Sequence, residues 1–314
     1  MHPCGRERGV THMRGWSLAV LCCLGAITGL SATAAIRQGF VPGADGVRLH
    51  FYQAGPNVAS HTLLFIPGWR ISSEVWRRQL RYFSGLGDRV IAIDSRSQGG
   101  SSLVYAGNDP EDRARDIHRL IVNLHLTHLI LVGWSQGVQD VAAYVQGFGT
   151  GALRKVVLVD SPVSDGPSDV TDNPAFVARV LKGIGVYSRD PRDYSAGMMR
   201  AIISRPGSAS LIAALTEESL KTPPSVGISM LVQDLFTVDR RPILRKFDRP
   251  TLVIASGESP LLEQQRQMAA QLPMGRIIVI RHAAHAVFID RPGAFERALE
   301  TFITRRVTSR GAHS

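Results

Sequence analysis

The sequence predicts an α/β fold in which a mostly parallel central sheet is covered by helices on both faces. Short apolar segments alternate with amphipathic ones along most of the 314 residues. The apolar segments are continuous, as in strands that are buried on both faces, and one long stretch without strand signals interrupts them. With 44% hydrophobic residues, the chain can bury one sizeable core.

The strands are predicted from apolar runs that turn-forming residues flank. They are Val47–Tyr52, Thr62–Ile66, Arg89–Ile93, Leu129–Val132, Val156–Val159, Thr251–Ala255 and Arg276–Ile280. Helices are predicted between them from apolar residues at helical spacing, and the best marked has Asp109 as N-cap and Pro110 at its first position. The other helices are predicted over Ser73–Phe83, after Ser135, near Glu263–Leu272 and from about Pro292.

The stretch from about residue 163 to 247 breaks this alternation. It holds helical patches over 176–184, 194–203, 211–220 and 228–236, separated by prolines and glycines. Helices inserted between two core strands form a cap over the carboxyl edge of the sheet, where ligands bind in open α/β sheets. We therefore expect a helical cap over about 163–247.

Residues 1–35 have the pattern of a secretory signal peptide. Three arginines precede the apolar run Trp16–Leu30, and small residues follow it, so that cleavage after Ala34 or Ala35 fits equally well. The chain is then exported, to the periplasm or the medium, and residues 36–314 form one domain. The alternative is an uncleaved membrane anchor, because the stretch of low polarity approaches the length of a spanning helix. All three cysteines lie inside this segment, so the exported part has no disulfide and no cysteine nucleophile.

The net charge of +10 does not indicate a nucleic-acid-binding protein. Nearly all the positive charge is arginine, scattered along the chain, and no zinc-finger, RNP or basic-helix pattern accompanies it. No group of His, Asp and Glu has the spacing of metal ligands, and no Gly-rich loop has the dinucleotide or P-loop form. We expect no metal, no cofactor and no nucleic acid, and a small molecule as the binding partner.

The segment Gly133-Trp134-Ser135-Gln136-Gly137 lies between a predicted strand and a predicted helix. In that setting G-x-S-x-G forms a strained turn that exposes the serine hydroxyl, and the glycines avoid clashes with the neighbouring strand and helix. The serine then lies at a helix N-terminus, where a backbone N–H can bind an oxyanion. The segment predicts Ser135 as a nucleophile.

A nucleophilic serine needs a base, and the position of His285 favours it. His285 follows the last predicted strand and precedes the last helix, so it reaches the same edge of the sheet as Ser135. The order along the chain, serine first and histidine last, also fits. His282 is the local competitor, but small residues flank His285 and a helix begins soon after it.

Four segments together resemble the α/β-hydrolase superfamily: Phe65–Trp69, Asp94–Ser101, Gly133–Gly137 and Ala284-His285, in the order found in that superfamily. The chain is similar to its capped single-domain esterase, haloperoxidase-like and C–C-hydrolase branches, from about residue 39 to 303. The resemblance implies the α/β-hydrolase fold. It also implies that the backbone N–H groups of Trp69 and Gln136 form the oxyanion hole.

The acid partner of the histidine departs from the superfamily pattern. Most relatives carry an aspartate in a G-x-x-D turn after the penultimate strand, but here that loop contains Glu258 and no aspartate at the expected place. Some members carry the acid one strand earlier, where this chain has Asp160. Both residues remain candidates, and we favour Asp160.

The resemblance implies a serine hydrolase that acts on a small or medium, largely apolar ester or a related acyl substrate. Other activities use the same site: cofactor-free haloperoxidase or perhydrolase, C–C hydrolase and acyltransferase. A non-catalytic protein that only binds a ligand is a further alternative, supported by the irregular acid loop. The sequence predicts no oligomeric state, and it predicts contact with a membrane only if the leader stays uncleaved.

Overall fold

The central sheet of the computed structural model has eight strands, and the structure describes residues 35–164 and 174–305. The strands are β1 Arg37–Pro42, β2 Arg48–Ala54, β3 Thr62–Ile66, β4 Arg89–Ile93, β5 Leu129–Trp134, β6 Leu153–Val159, β7 Thr251–Ser256 and β8 Gly275–Ile280. Their order is β1-β2-β4-β3-β5-β6-β7-β8, and β2 is antiparallel to both neighbours while all other neighbours are parallel. The predicted fold class is confirmed. The predicted signal peptide lies outside the described residues, apart from its last residue, Ala35.

Ten α-helices are described along the chain. They are α1 Arg77–Gly85, α2 Pro110–Asn123, α3 Gln136–Phe148, α4 Pro174–Arg189, α5 Pro191–Ile202, α6 Ala209–Ser219, α7 Pro224–Phe236, α8 Leu262–Gln271, α9 Val287–Asp290 and α10 Pro292–Thr304. Short 3₁₀ turns cover Ala44–Gly46, Ser73–Trp76 and Arg241–Lys246. The helix predicted over Ser73–Phe83 therefore begins as a 3₁₀ turn. Asp109 caps α2 as predicted, since its side chain accepts a hydrogen bond from the amide of Asp112 at 2.8 Å.

Both faces of the sheet are buried, as the continuous apolar strands predict. Along β3, Leu64 packs with residues of α2, α3 and α8, whereas its neighbour Phe65 packs with residues of α1 and α10 on the opposite face. Alternate residues of a strand point to opposite faces, so each strand joins two separate apolar clusters. The edge strand β1 was not predicted, because most of its residues are exposed and its sequence shows no apolar alternation.

Helices α4 to α7 lie between β6 and β7 in the chain, where the cap was predicted, and we call these four helices the cap. They differ in burial: α4 buries only Tyr187 among its described residues, whereas α7 buries Val226, Gly227, Met230 and Asp234. Among residues 35–164 and 174–305, no helix combines the length and the apolar character needed to span a membrane.

Candidate active site

Ser135 lies in the turn between the end of β5 and the start of α3, with a φ of 56°. The residues two positions before and two positions after it, Gly133 and Gly137, have no room for a side chain. A Cβ on Gly133 would lie 2.2 Å from the carbonyl oxygen of Gly137, and a Cβ on Gly137 would lie 2.8 Å from that of Ile66. The structure thus shows the strand–turn–helix geometry that the G-x-S-x-G segment predicts.

Both residues predicted to form an oxyanion hole adjoin Ser135. Gln136 is the first residue of α3, so its amide has no acceptor within the helix and points out of the positive N-terminal end. Trp69 follows Gly68, and a Cβ on Gly68 would lie 3.0 Å from the Cβ of Ser135 and 3.5 Å from its hydroxyl oxygen. The turn after β3 therefore runs directly against the serine.

His285 lies in the loop between β8 and α9. Its Nδ1 is 2.8 Å from Oδ2 of Asp160, and its side chain is 28% exposed whereas that of Asp160 is 1% exposed. The ring centroids of His285 and Trp134 are 5.4 Å apart, and the Trp134 indole N–H donates to the carbonyl of His285 at 3.1 Å. The histidine is therefore beside the turn that carries Ser135. The competitor His282 is exposed, and its carbonyl accepts a hydrogen bond from the side chain of Arg291.

Of the two candidate acids, the structure brings Asp160 to the histidine. Asp160 follows β6 directly and is fully buried, with a φ of 47°. While Oδ2 meets His285, Oδ1 accepts from the amide of Ser256 at 2.8 Å and from the side chain of Gln265 at 3.1 Å. Glu258 is exposed, and its amide donates to the hydroxyl of Ser256. Sequence reasoning missed Gln265 and Ser256, because no local pattern marks either as a partner of Asp160.

A buried arginine stands next to the predicted oxyanion residue Trp69. Arg70 is 1% exposed, has a φ of 55°, and donates from both terminal nitrogens to the hydroxyl of Ser195 on α5 at 3.0 Å. Its guanidinium lies over the rings of Trp69 and of Tyr187, at 4.3 Å and 4.1 Å from their centroids. Burial lowers the pKa of Arg70. The sequence shows no signal for this cluster.

A second group of buried charged side chains joins α2, α3 and α7. Arg113 on α2 donates to Asp140 at 2.8 Å and to Asp234 on α7 at 2.6 Å. Burial, together with the nearby Asp234 carboxylate, raises the pKa of Asp140 to about 7 even though Arg113 opposes that shift. Oδ2 of Asp140 is buried without a hydrogen-bond partner among the described residues, in accord with a carboxyl group that binds a proton.

Within residues 35–164 and 174–305, no cluster of three or more His, Cys, Asp or Glu side chains could hold a metal ion. The side chains at this edge of the sheet are of the types that an acyl-transfer site uses: the hydroxyl of Ser135, the imidazole of His285 and the buried carboxylate of Asp160.

The model of the alpha/beta hydrolase family matches residues 63–298, and the chain belongs to this family. The chain is 28% identical to the non-heme chloroperoxidase CPO-A1 of Kitasatospora aureofaciens over 283 residues, which cover 83% of this chain and 98% of that protein. It is 33% identical to the bifunctional esterase/perhydrolase DCH of Acinetobacter calcoaceticus over 124 residues, which cover 40% of this chain and 45% of that protein.

Among solved structures, the esterase RhEst1 from Rhodococcus sp. ECU1013 superposes with a TM-score of 0.70 at 25% identity, covering 86% of this chain and 98% of that one. The predicted resemblance to the α/β-hydrolase superfamily is therefore confirmed. The expected function, hydrolysis of an ester substrate, agrees with relatives named as esterases, and the haloperoxidase alternative agrees with the others.

Proposed function

We propose that the protein is a serine esterase in which Ser135 is the nucleophile, His285 the general base and Asp160 the acid that orients the base. The observation that carries this proposal is the 2.8 Å contact between Nδ1 of His285 and the buried carboxylate of Asp160. A carboxylate there holds the Nδ1–H tautomer and leaves Nε2, on the opposite edge of the ring, free to accept a proton. The side chain of His285 is partly exposed, so a substrate can reach it.

The proposed reaction is a two-step acyl transfer. His285 takes the proton of Ser135 as the hydroxyl oxygen attacks the ester carbonyl, and the oxyanion forms hydrogen bonds with the amides of Gln136 and Trp69. Collapse of the tetrahedral intermediate breaks the ester bond, and the alcohol leaves with the proton from His285. Water then attacks the acyl-enzyme by the same route, which releases the acid and restores Ser135. Asp160 stays ionised and stabilises the imidazolium.

The preferred substrate in this proposal is a small or medium, largely apolar ester. The partly exposed Trp69 lies next to Gly68, which packs against Ser135, so an aromatic ring is close to the serine. The indole N–H of Trp69 donates to the carbonyl of Gly227 on α7 at 2.9 Å, so a cap helix stands close to the oxyanion side of the site. A cap at this position limits access of polymers and favours a compact acyl chain.

The test is hydrolysis of p-nitrophenyl acetate and butyrate by the purified protein, with Ser135→Ala and fluorophosphonate labelling in parallel. We expect turnover and labelling by the wild type and loss of both in Ser135→Ala, because no other group replaces the nucleophile. A folded wild-type protein with neither signal would contradict the proposal and would favour a protein that only binds its ligand.

The names of relatives favour a second candidate, perhydrolysis, in which hydrogen peroxide replaces water as the acceptor of the acyl group. The same acyl-enzyme would then release a peracid, which oxidises halide without any metal. Peroxide-dependent halogenation of monochlorodimedone that is lost in Ser135→Ala, together with weak ester hydrolysis, would favour this activity over the esterase.

We also propose that the protein is exported. Two observations support this proposal: the signal-peptide pattern of residues 1–35 and the absence of cysteine from the rest of the sequence. Mass spectrometry of the protein recovered outside the cytoplasm should find Ala35 or Ile36 as the first residue. A recovered chain that retains the apolar segment would support the uncleaved anchor instead.

A further inference from the structure

Helix α7 of the cap forms a hydrogen bond with the side chain of each proposed oxyanion residue. The indole N–H of Trp69 donates to the carbonyl of Gly227 at 2.9 Å, and the side-chain amide of Gln136 donates to the carboxylate of Asp234. Gly227 and Asp234 are seven residues apart, about two helical turns, so they lie on one face of α7. One face of a single helix thus contacts the side chains of both residues, one from each half of the proposed oxyanion hole.

The two halves are also joined to each other by the side chain of Gln98. Its Oε1 accepts from the amide of Ile71, two residues after Trp69, at 3.0 Å, and its Nε2 donates to Oε1 of Gln136 at 3.3 Å. Gln98 is 1% exposed. The contacts close a ring from the Trp69 turn through Gln98 and Gln136 to α7, and from α7 back to Trp69.

The position of α7 is itself determined by the protein around it. Asp234 accepts a hydrogen bond from the buried Arg113 at 2.6 Å, and the hydroxyl of Thr222, just before α7, donates to the carbonyl of Ser97 at 2.7 Å. Gly227 has no spare room, since a Cβ there would lie 2.7 Å from Cδ of Arg70. Because α7 is held at both ends, it can fix the positions of the side chains that it contacts.

We propose that α7 positions the oxyanion hole, with Asp234 and Gln98 as positioning residues that act through Gln136 and the Trp69 turn. The inference rests on the proposed esterase function and adds the part of the molecule that sets the alignment of its transition-state donors. Oxyanion donors are effective only when they already point to the place where the negative charge will develop. Ground-state substrate gains little from them, so errors in their alignment lower kcat more than they raise KM.

The test uses three variants that leave both backbone amides in place. Gln136→Met removes the side-chain amide, Trp69→Phe removes the indole N–H but keeps an aromatic ring, and Asp234→Asn weakens the acceptor on α7. Ser229→Ala, on the exposed side of α7, is the matched control. For p-nitrophenyl butyrate we expect kcat to fall by about 10- to 100-fold in the three variants, KM to stay within about threefold, and the control to match the wild type.

A second readout separates alignment from general damage to the fold. A trifluoromethyl ketone forms a tetrahedral adduct with Ser135 and places an oxyanion in the hole, whereas the unfluorinated ketone binds without that charge. We expect affinity for the fluorinated ketone to fall in step with kcat/KM across the variants, and affinity for the other ketone to stay unchanged. The double variant Gln136→Met/Asp234→Asn should lose no more than the more impaired single variant, because both remove the same link.

If Asp234→Asn does not fold, Trp69→Phe still tests the inference, because it removes a contact at the other end of α7. Folded variants with the kcat of the wild type, or with a rise in KM alone, overturn the inference and leave the proposed function standing. A wild-type protein with no ester turnover and no fluorophosphonate labelling overturns both.

Discussion

The carboxyl edge of the sheet and the cap helices contribute to the site in different ways. Ser135, Asp160 and His285 each follow a strand of the sheet, and the amides of the first two donate to carbonyls of the next strand, at 3.1 Å to Val159 and 2.9 Å to Ile254. The cap instead accepts hydrogen bonds from side chains of the site, at the carbonyl of Gly227 from Trp69 and at the carboxylate of Asp234 from Gln136. Strand ends are held by backbone hydrogen bonds on neighbouring strands, so we expect the sheet to supply the reacting groups and the cap to align the groups around them.

The largest effect that tests this difference between sheet and cap is expected at Asp160, the proposed acid. Asp160→Asn should lower kcat for p-nitrophenyl butyrate by about 10²- to 10⁴-fold, because an amide no longer selects the Nδ1–H tautomer or stabilises imidazolium. Glu258→Gln should stay within about twofold of the wild type, because the Glu258 side chain is exposed on the neighbouring loop. Steady-state kinetics on both variants gives the comparison directly.

The pair is matched, since each variant replaces a carboxylate by its amide at the end of one of two adjacent parallel strands. The reverse ranking would show that the loop after β7 moves during turnover and that Glu258 supplies the acid. Equal losses of kcat in both variants would mean that the edge of the sheet as a whole, and not one buried carboxylate, orients the imidazole of His285.

What the sequence predicts well is what has a local signal. The parallel strands show as apolar runs, and Ser135 and His285 can be found from their places after strands. The choice between Asp160 and Glu258 stayed open, because spacing along a chain does not tell which carboxylate is buried and aimed at the imidazole. The cap contacts left no sequence signal at all, since Gln136 and Asp234 are 98 residues apart and Trp69 and Gly227 are 158 apart.

A smaller effect is expected at the buried charge group that joins α2 and α3 to the cap helix α7. The native pKa of Asp140 is about 7, above its ordinary value of 3.8, so between these two values the folded protein binds a proton that the unfolded chain releases. The stability that this group contributes is therefore present below about pH 4 and is lost as the pH rises to about 7. Asp140→Asn does not titrate, so its melting temperature relative to the wild type should increase across that window. Thermal unfolding at intervals from pH 4 to 8 measures it.

Ser229→Ala, which changes no titratable group, serves as the control and should follow the wild-type profile in parallel. If Asp140→Asn also ran parallel to the wild type, Asp140 would be ionised throughout. Arg113 would then hold two carboxylates of fixed charge, one on α3 and one on α7. The contact of α2 and α3 with the cap helix α7 would then not respond to pH.

The smallest effect is expected from a pair of glycines in the cap itself. A Cβ on Gly227 would lie 2.6 Å from the hydroxyl of Tyr187, whereas a Cβ on Gly185 of α4 meets nothing within 4 Å. Gly227→Ala should therefore destabilise the protein by about 1–3 kcal/mol through overpacking. Gly185→Ala should stabilise it by about 0.5–1 kcal/mol through helix propensity. Urea unfolding of each variant and of the wild type measures both changes in the free energy of unfolding. Should the two variants be equally stable, α7 would have room to shift away from the sheet without cost. The cap would then only cover the site and would not align the oxyanion donors.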